Sequence, residues 1–177
     1  GWGEKKASEI LDAYGYEEWS TPARIRLGQA LLEADRPEKA IPQFEWVLVE
    51  QRQSVWAPKA RYFLAMSWIA MHTGTVYDSA PLQQARRNLQ AYLDDYTNSD
   101  DIESVRARMR DLDEKQAEKD FLTAEHYRGR SRWRAARVYY KEVVRLYSLT
   151  TWADKAREVL PEIEEEVARL PRQDREK

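Results

Sequence analysis

The sequence predicts an all-α fold of short helices laid side by side, and three observations carry that prediction. Apolar residues recur at spacings of three and four, as in Ala40, Phe44, Val47, Leu48, in Leu89, Tyr92, Leu93, Tyr96, and in Val105, Met109, Leu112, which is the spacing of one helical face. No stretch alternates with period two for long enough to read as a strand. The 177 residues include only 6 glycines and 7 prolines, too few for a loop-rich all-β domain.

Each helix has its own signals. The first, 4–14, carries Ala7-x-x-x-Leu11 and stops before Gly15. The next, 22–34, opens at Thr21-Pro22, and 37–52 opens at Arg36-Pro37; proline in a first turn lacks only an N–H that has no helical partner. Helix 56–72 precedes Gly74, and 81–97 opens at Ala80-Pro81. A long helix over 100–128 starts at the capping-box pattern Asp100-x-x-Glu103 and ends ahead of Gly129. Helices 132–148 and 152–169 follow, the latter with Thr151-x-x-Asp154 as its box. Pro42 and Pro161 fall inside helices and are expected to kink or interrupt them.

Composition bounds what such a chain does. Lys plus Arg is 29 and Asp plus Glu is 31, giving a net charge of −2. With 42% apolar residues, the chain has enough apolar side chain to fill a core, which argues against wholesale disorder. No apolar run approaches the roughly 20 residues that span a bilayer. Cysteine is absent, which excludes a disulfide framework, a Cys-based zinc site and a thiol nucleophile within this sequence. With 7 Trp and 10 Tyr against 3 Phe, most rings carry a polar handle, which suits the seams and rims of helix pairs.

Lining up small residues exposes an internal repeat. Gly28-x-x-Leu31 is followed by Ala40-x-x-x-Phe44, Ala65-x-x-Trp68 by Ala85-x-x-x-Leu89, and Ala124-x-x-Tyr127 by Ala136-x-x-x-Tyr140. The small residue marks where two helices cross closely, and the large one a turn later fills the gap beside it. The two small residues are 12 apart in the outer pairs and 20 apart in the middle one, which places an insertion around His72–Pro81. This is the tetratricopeptide pattern of stacked helix pairs. The expected fold is one all-α tetratricopeptide-repeat superhelix over 1–177: a half repeat at 1–19, repeats at 21–54, 56–99 (with the insertion) and 100–149 (with a long first helix), a closing helix at 150–170, and a fraying tail at 171–177. Ala7-x-x-x-Leu11 matches the second helix of a pair, so its first helix is expected upstream of Gly1, in a longer parent.

A narrower likeness lies in residues 81–163. The stretch Pro81-Leu-Gln-Gln-Ala-Arg-Arg-Asn-Leu-Gln-Ala-Tyr-Leu-Asp-Asp-Tyr-Thr-Asn-Ser99 comes before a long helix. That helix ends in Ala124-Glu125-His126-Tyr127 and leads on to Trp133, Ala135, Ala136 and Tyr147. Together they resemble the later repeats of the BamD (YfiO/ComL) outer-membrane lipoproteins, as does the insertion in the middle repeat. The family's Tyr-Pro helix endings read Tyr96-Thr97 and Tyr147-Ser148 here, and its lipidated N-terminal Cys is absent from this sequence. The resemblance implies a lipid-anchored periplasmic scaffold on the inner face of the outer membrane. Such a scaffold helps to assemble β-barrel proteins by docking a periplasmic domain of a barrel-assembly protein. If the resemblance fails, the same repeats describe a cytoplasmic peptide-binding tetratricopeptide adaptor with no part in barrel assembly.

Chemistry-bearing motifs are few. His72 and His126 are the only histidines, and there is no H-E-x-x-H, G-x-S-x-G or phosphate-cradling glycine loop. The expectation is therefore no enzyme, no cofactor and no metal; Asp100, Asp101 and Glu103 read as an ordinary acidic first turn. Nucleic acid is a poor partner for a chain of net charge −2 with no aromatic–basic module. Two candidate partner surfaces remain. In Arg128-Gly-Arg-Ser-Arg-Trp-Arg-Ala-Ala-Arg137, five of ten residues are Arg. Arg128 and Arg130 suit a helix C-terminus, whereas Arg132 and Arg134 open a helix, where the dipole disfavours cations. Trp133 and Arg137 complete that basic turn, which suits a carboxylate or phosphate from a partner, or else intramolecular Glu partners. The second surface is the concave groove, with Ile25, Gln29, Tyr62, Met66, Ile69, Phe121 and Glu125 off the packing positions of the first helices. An extended or helical peptide segment fits such a groove.

Overall fold

The computed structural model describes residues 19–72 and 80–171, together with Lys6 and Glu9. Among the described residues it is all-helical: α1 Ser20–Glu33, α2 Pro37–Glu50, α3 Ala57–Ala70, α4 Ala80–Asp95, α5 Ile102–Arg128, α6 Trp133–Leu146 and α7 Thr151–Arg169. The predicted half repeat at 1–19, the body of the insertion and the tail lie outside these residues, as do Gly15 and Gly74. The helix limits agree with the sequence reading to within two residues, because prolines, caps and apolar period agree at each end. Pro42 and Pro161 are the exception: α2 and α7 run through them without interruption.

The chain divides into two compact units, Gly1–Met109 and Arg110–Lys177, with the division falling inside α5. In the first unit α1 packs on α2, α2 on α3 and α3 on α4, and α1 also touches α3. That order is the signature of stacked hairpins. The core gathers Ile25, Leu31, Ala40, Ile41, Phe44, Val47, Ala60 and Leu64. Gly28 is where α1 and α2 cross: a methyl group there would lie 2.5–3.0 Å from Phe44 ring carbons. Ala65, Ala85 and Leu89 of the middle repeat are also fully or almost fully buried.

The second unit builds its core from α5, α6 and α7. Phe121 meets Tyr140 edge-on, with ring centres 5.4 Å apart, and Ala124, Ala136, Val143, Ala153, Ala156 and Ile163 close around them.

The two units share a register that no insertion disturbs. The left-handed residues Asp35 and Ser131, both at φ 55°, stand 96 positions apart. Around each, the same helix-ending pair of hydrogen bonds forms: Asp35 N to Leu32 O with Arg36 N to Leu31 O, and Ser131 N to Arg128 O with Arg132 N to Tyr127 O. The same offset of 96 relates Gly28 to Ala124, Ala40 to Ala136, Phe44 to Tyr140 and Ala57 to Ala153, all buried. It also relates Lys59 lying over the Trp56 ring to Lys155 lying over the Trp152 ring.

One cap differs from expectation. The α7 cap is Thr150, whose hydroxyl accepts from Ala153 N at 3.1 Å. Thr151 is already helical and bonds to Glu114 instead. α5 stops at Arg128, ahead of Gly129 as expected, and the left-handed residue of the turn that follows is Ser131.

Candidate functional site

The basic turn links α5 to α6, and the structure separates its arginines by role. Arg128 is held inside the molecule: Nη2 donates to both carboxylate oxygens of Glu162 on α7, at 2.9 and 3.1 Å, and Nη1 to Glu125 at 3.3 Å. Arg137 reaches Glu164 at 3.4 Å, and Lys141 reaches the same carboxylate at 2.5 Å. Lys141, with Arg137 behind it, holds the Glu164 carboxyl below the usual range. Arg130 donates to the His126 ring. Trp133, the first residue of α6, is half-buried against the unit's core.

Arg132 and Arg134 stand apart. Arg132 is exposed at the N-cap of α6, where its side chain caps nothing. Arg134 is half-buried, and its Nε and Nη2 are shielded from solvent with no acceptor in range among the described residues.

The groove residues divide differently. Ile25 is fully buried and Phe121 nearly so, each inside its unit's core. The physical reason is spacing: they precede the crossing residues Gly28 and Ala124 by three, which puts them on the packing seam. Neither is available to a ligand. Glu125 accepts from the Tyr140 hydroxyl and from Arg128. Burial and that carboxylate together push the Tyr140 phenol up. Gln29, Tyr62, Met66 and Ile69 are half-buried.

Tyr62 alone of the groove residues lines a cleft in the first unit, of about 370 Å³, with Lys59, Phe63, Tyr92, Asp101, Ser104 and Val105. Sequence reading missed the other six. Part of their signal was a shared one-face spacing, 59, 62, 63 on α3 and 104, 105 in the first turn of α5 just after Asp101; Tyr92, on α4, carried none. Three aromatic rings with one lysine and one carboxylate at hand suit a peptide segment: rings for apolar side chains, charges for orientation.

Among the described residues, no group of three or more acidic or histidine side chains is placed to hold a metal ion, and no helix is long and apolar enough to cross a membrane. Among curated proteins none matches the chain. The profile of one family, YfiO, described as an outer membrane lipoprotein, matches residues 4–176. Almost the whole length is covered, in agreement with the helix pairs and with the quoted motifs, and the chain belongs to the YfiO (BamD) family of outer-membrane lipoproteins.

Proposed function

We propose that this chain is a non-enzymatic, BamD-like scaffold on the periplasmic side of the outer membrane, docking a periplasmic domain of a β-barrel-assembly protein. The observation that carries the reading is the family match over residues 4–176, laid on a fold of stacked hairpins. Stacked hairpins offer extended rigid surface, and affinity on such a surface comes from a few anchors. The basic turn between α5 and α6 is the first docking surface, with membrane attachment supplied by an N-terminal lipid. Co-purification of the chain with the periplasmic domain of a barrel-assembly protein is the test. A stoichiometric complex is expected, and separate elution of the two overturns the reading.

A second reading, a peptide-binding adaptor without a role in barrel assembly, is favoured by the cleft beside Tyr62. It predicts that Tyr62→Ala combined with Met66→Ala abolishes binding to members of a random peptide panel. If neither form binds any peptide, the groove drops out.

A further inference from the structure

The α1–α2 turn and the α5–α6 turn share one backbone and carry opposite charge. At equivalent positions, 96 apart, Glu38 of α2 faces solvent in the first turn of its helix, where an acid is favoured. Its counterpart in α6 is Arg134, where a cation is disfavoured. Ala34 corresponds to Arg130 and Leu32 to Arg128, while Arg36 corresponds to Arg132. Backbone shape therefore does not demand arginine at 128, 130 or 134. Internal pairing explains only some of them: Arg128 and Arg137 hold α7 through Glu162 and Glu164, and Arg130 rests on His126. Arg132 and Arg134 are left over, and two donor atoms of Arg134 are out of water with nothing among the described residues to accept them. A buried guanidinium donor without an acceptor costs free energy that a bound anion returns.

We infer that the α5–α6 turn is a socket for an acidic segment of a partner protein, with Arg132 and Arg134 as the forks that receive its carboxylates; this rests on the scaffold reading above. A carboxylate is already held in the same neighbourhood, since Arg128 grips Glu162 through two hydrogen bonds from one nitrogen. A protein segment fits better than a lipid surface for two reasons. The Nε and Nη2 atoms of Arg134 are shielded from solvent, and a flat array of headgroups does not reach them. No large apolar side chain of 128–137 is fully exposed to enter a membrane, Trp133 being packed on the core. Arg128 and Arg137 are positioning residues, fixing α7 against the turn.

The test uses the whole chain and a fluorescein-labelled hexaglutamate peptide, with hexaglutamine and phosphatidylglycerol vesicles as the comparison probes. Hexaglutamate is expected to bind, with affinity falling as salt rises, and hexaglutamine is not. Arg132→Gln with Arg134→Gln should weaken hexaglutamate at least about tenfold. Arg145→Gln, an exposed arginine near the other end of α6, should leave binding unchanged. Arg132→Gln alone changes an exposed side chain and should itself weaken binding if the double variant loses its helical circular dichroism. Equal binding of hexaglutamate by wild type and by both variants overturns the proposal. So does vesicle sedimentation that needs Arg132 and Arg134 while hexaglutamate does not. A wild-type chain that co-purifies with the barrel-assembly domain as well as its double variant does defeats the socket and leaves the scaffold standing. A wild-type chain that never co-purifies defeats the scaffold whatever the peptide does.

Discussion

Gly28 shows how much one hydrogen atom decides. A methyl group at that position would press on the Phe44 ring, which is fully buried and backed by Phe63 at 5.8 Å between ring centres. The ring has nowhere to move, so overpacking outweighs the roughly 1 kcal/mol by which alanine favours a helix. Gly28→Ala is expected to cost about 1–3 kcal/mol, read as a fall in Tm by circular dichroism. Asp120 on α5 is a second case. Burial raises its carboxyl pKa, Lys119 opposes this, Glu142 adds to it, and a hydrogen bond with Tyr147 again opposes it. A carboxyl whose folded pKa exceeds its unfolded value binds protons more tightly when folded, so stability falls as pH rises through that interval. Asp120→Asn is therefore expected to raise Tm at pH 7, with the gain vanishing below the ordinary carboxylate range. A Tm advantage that persists at pH 3 would refute that origin. Glu164, whose pKa is lowered, has the opposite sign: its contribution is present above the usual carboxylate pKa and lost as pH falls.

Among the elements, helix existence and extent were legible because period, proline and cap signals coincide, as at Arg36-Pro37 and Ala80-Pro81. Caps were less so. Thr150 and Thr151 are chemically alike, and only the extended backbone of Thr150 (ψ 156°) decides which one caps α7. Thr150→Ala is expected to lose about 1 kcal/mol, while Thr151→Ala loses less; chemical denaturation of the two variants compares them. Gly129 marks where α5 stops, at Arg128, but it is not the left-handed residue of the turn. The turn fixes where the left-handed residue must stand, and here that position holds Ser131. Ser131→Gly is expected to stabilise by up to about 1 kcal/mol, because serine in that conformation is strained. Pro42 and Pro161 do not interrupt their helices, because a missing N–H removes only one bond from a ladder that tertiary packing supports.

At the scale of the molecule, each unit has its own core, and disturbance should stay within the unit that receives it. Phe44→Ala is expected to cost about 3–5 kcal/mol. Hydrogen exchange should quicken mainly in 20–70 and leave 133–169 close to wild type; uniform quickening along the chain would contradict this. The sites were legible only in part. Five arginines in ten residues are visible in any reading, but which of them are engaged depends on Glu162 and Glu164, a helix away in sequence. The cleft needed three helices brought together, and no single segment announces it. The shared register of the two hairpins has a practical consequence. Since Ala34–Glu38 and Arg130–Arg134 trace the same path, that turn is an interchangeable part. Its shape belongs to the hairpin and its charge does not, so exchanging the charged residues of one turn for those of the other, with Pro37 and Trp133 kept in their packed places, should move the electrostatic character of this surface without rebuilding the scaffold beneath it.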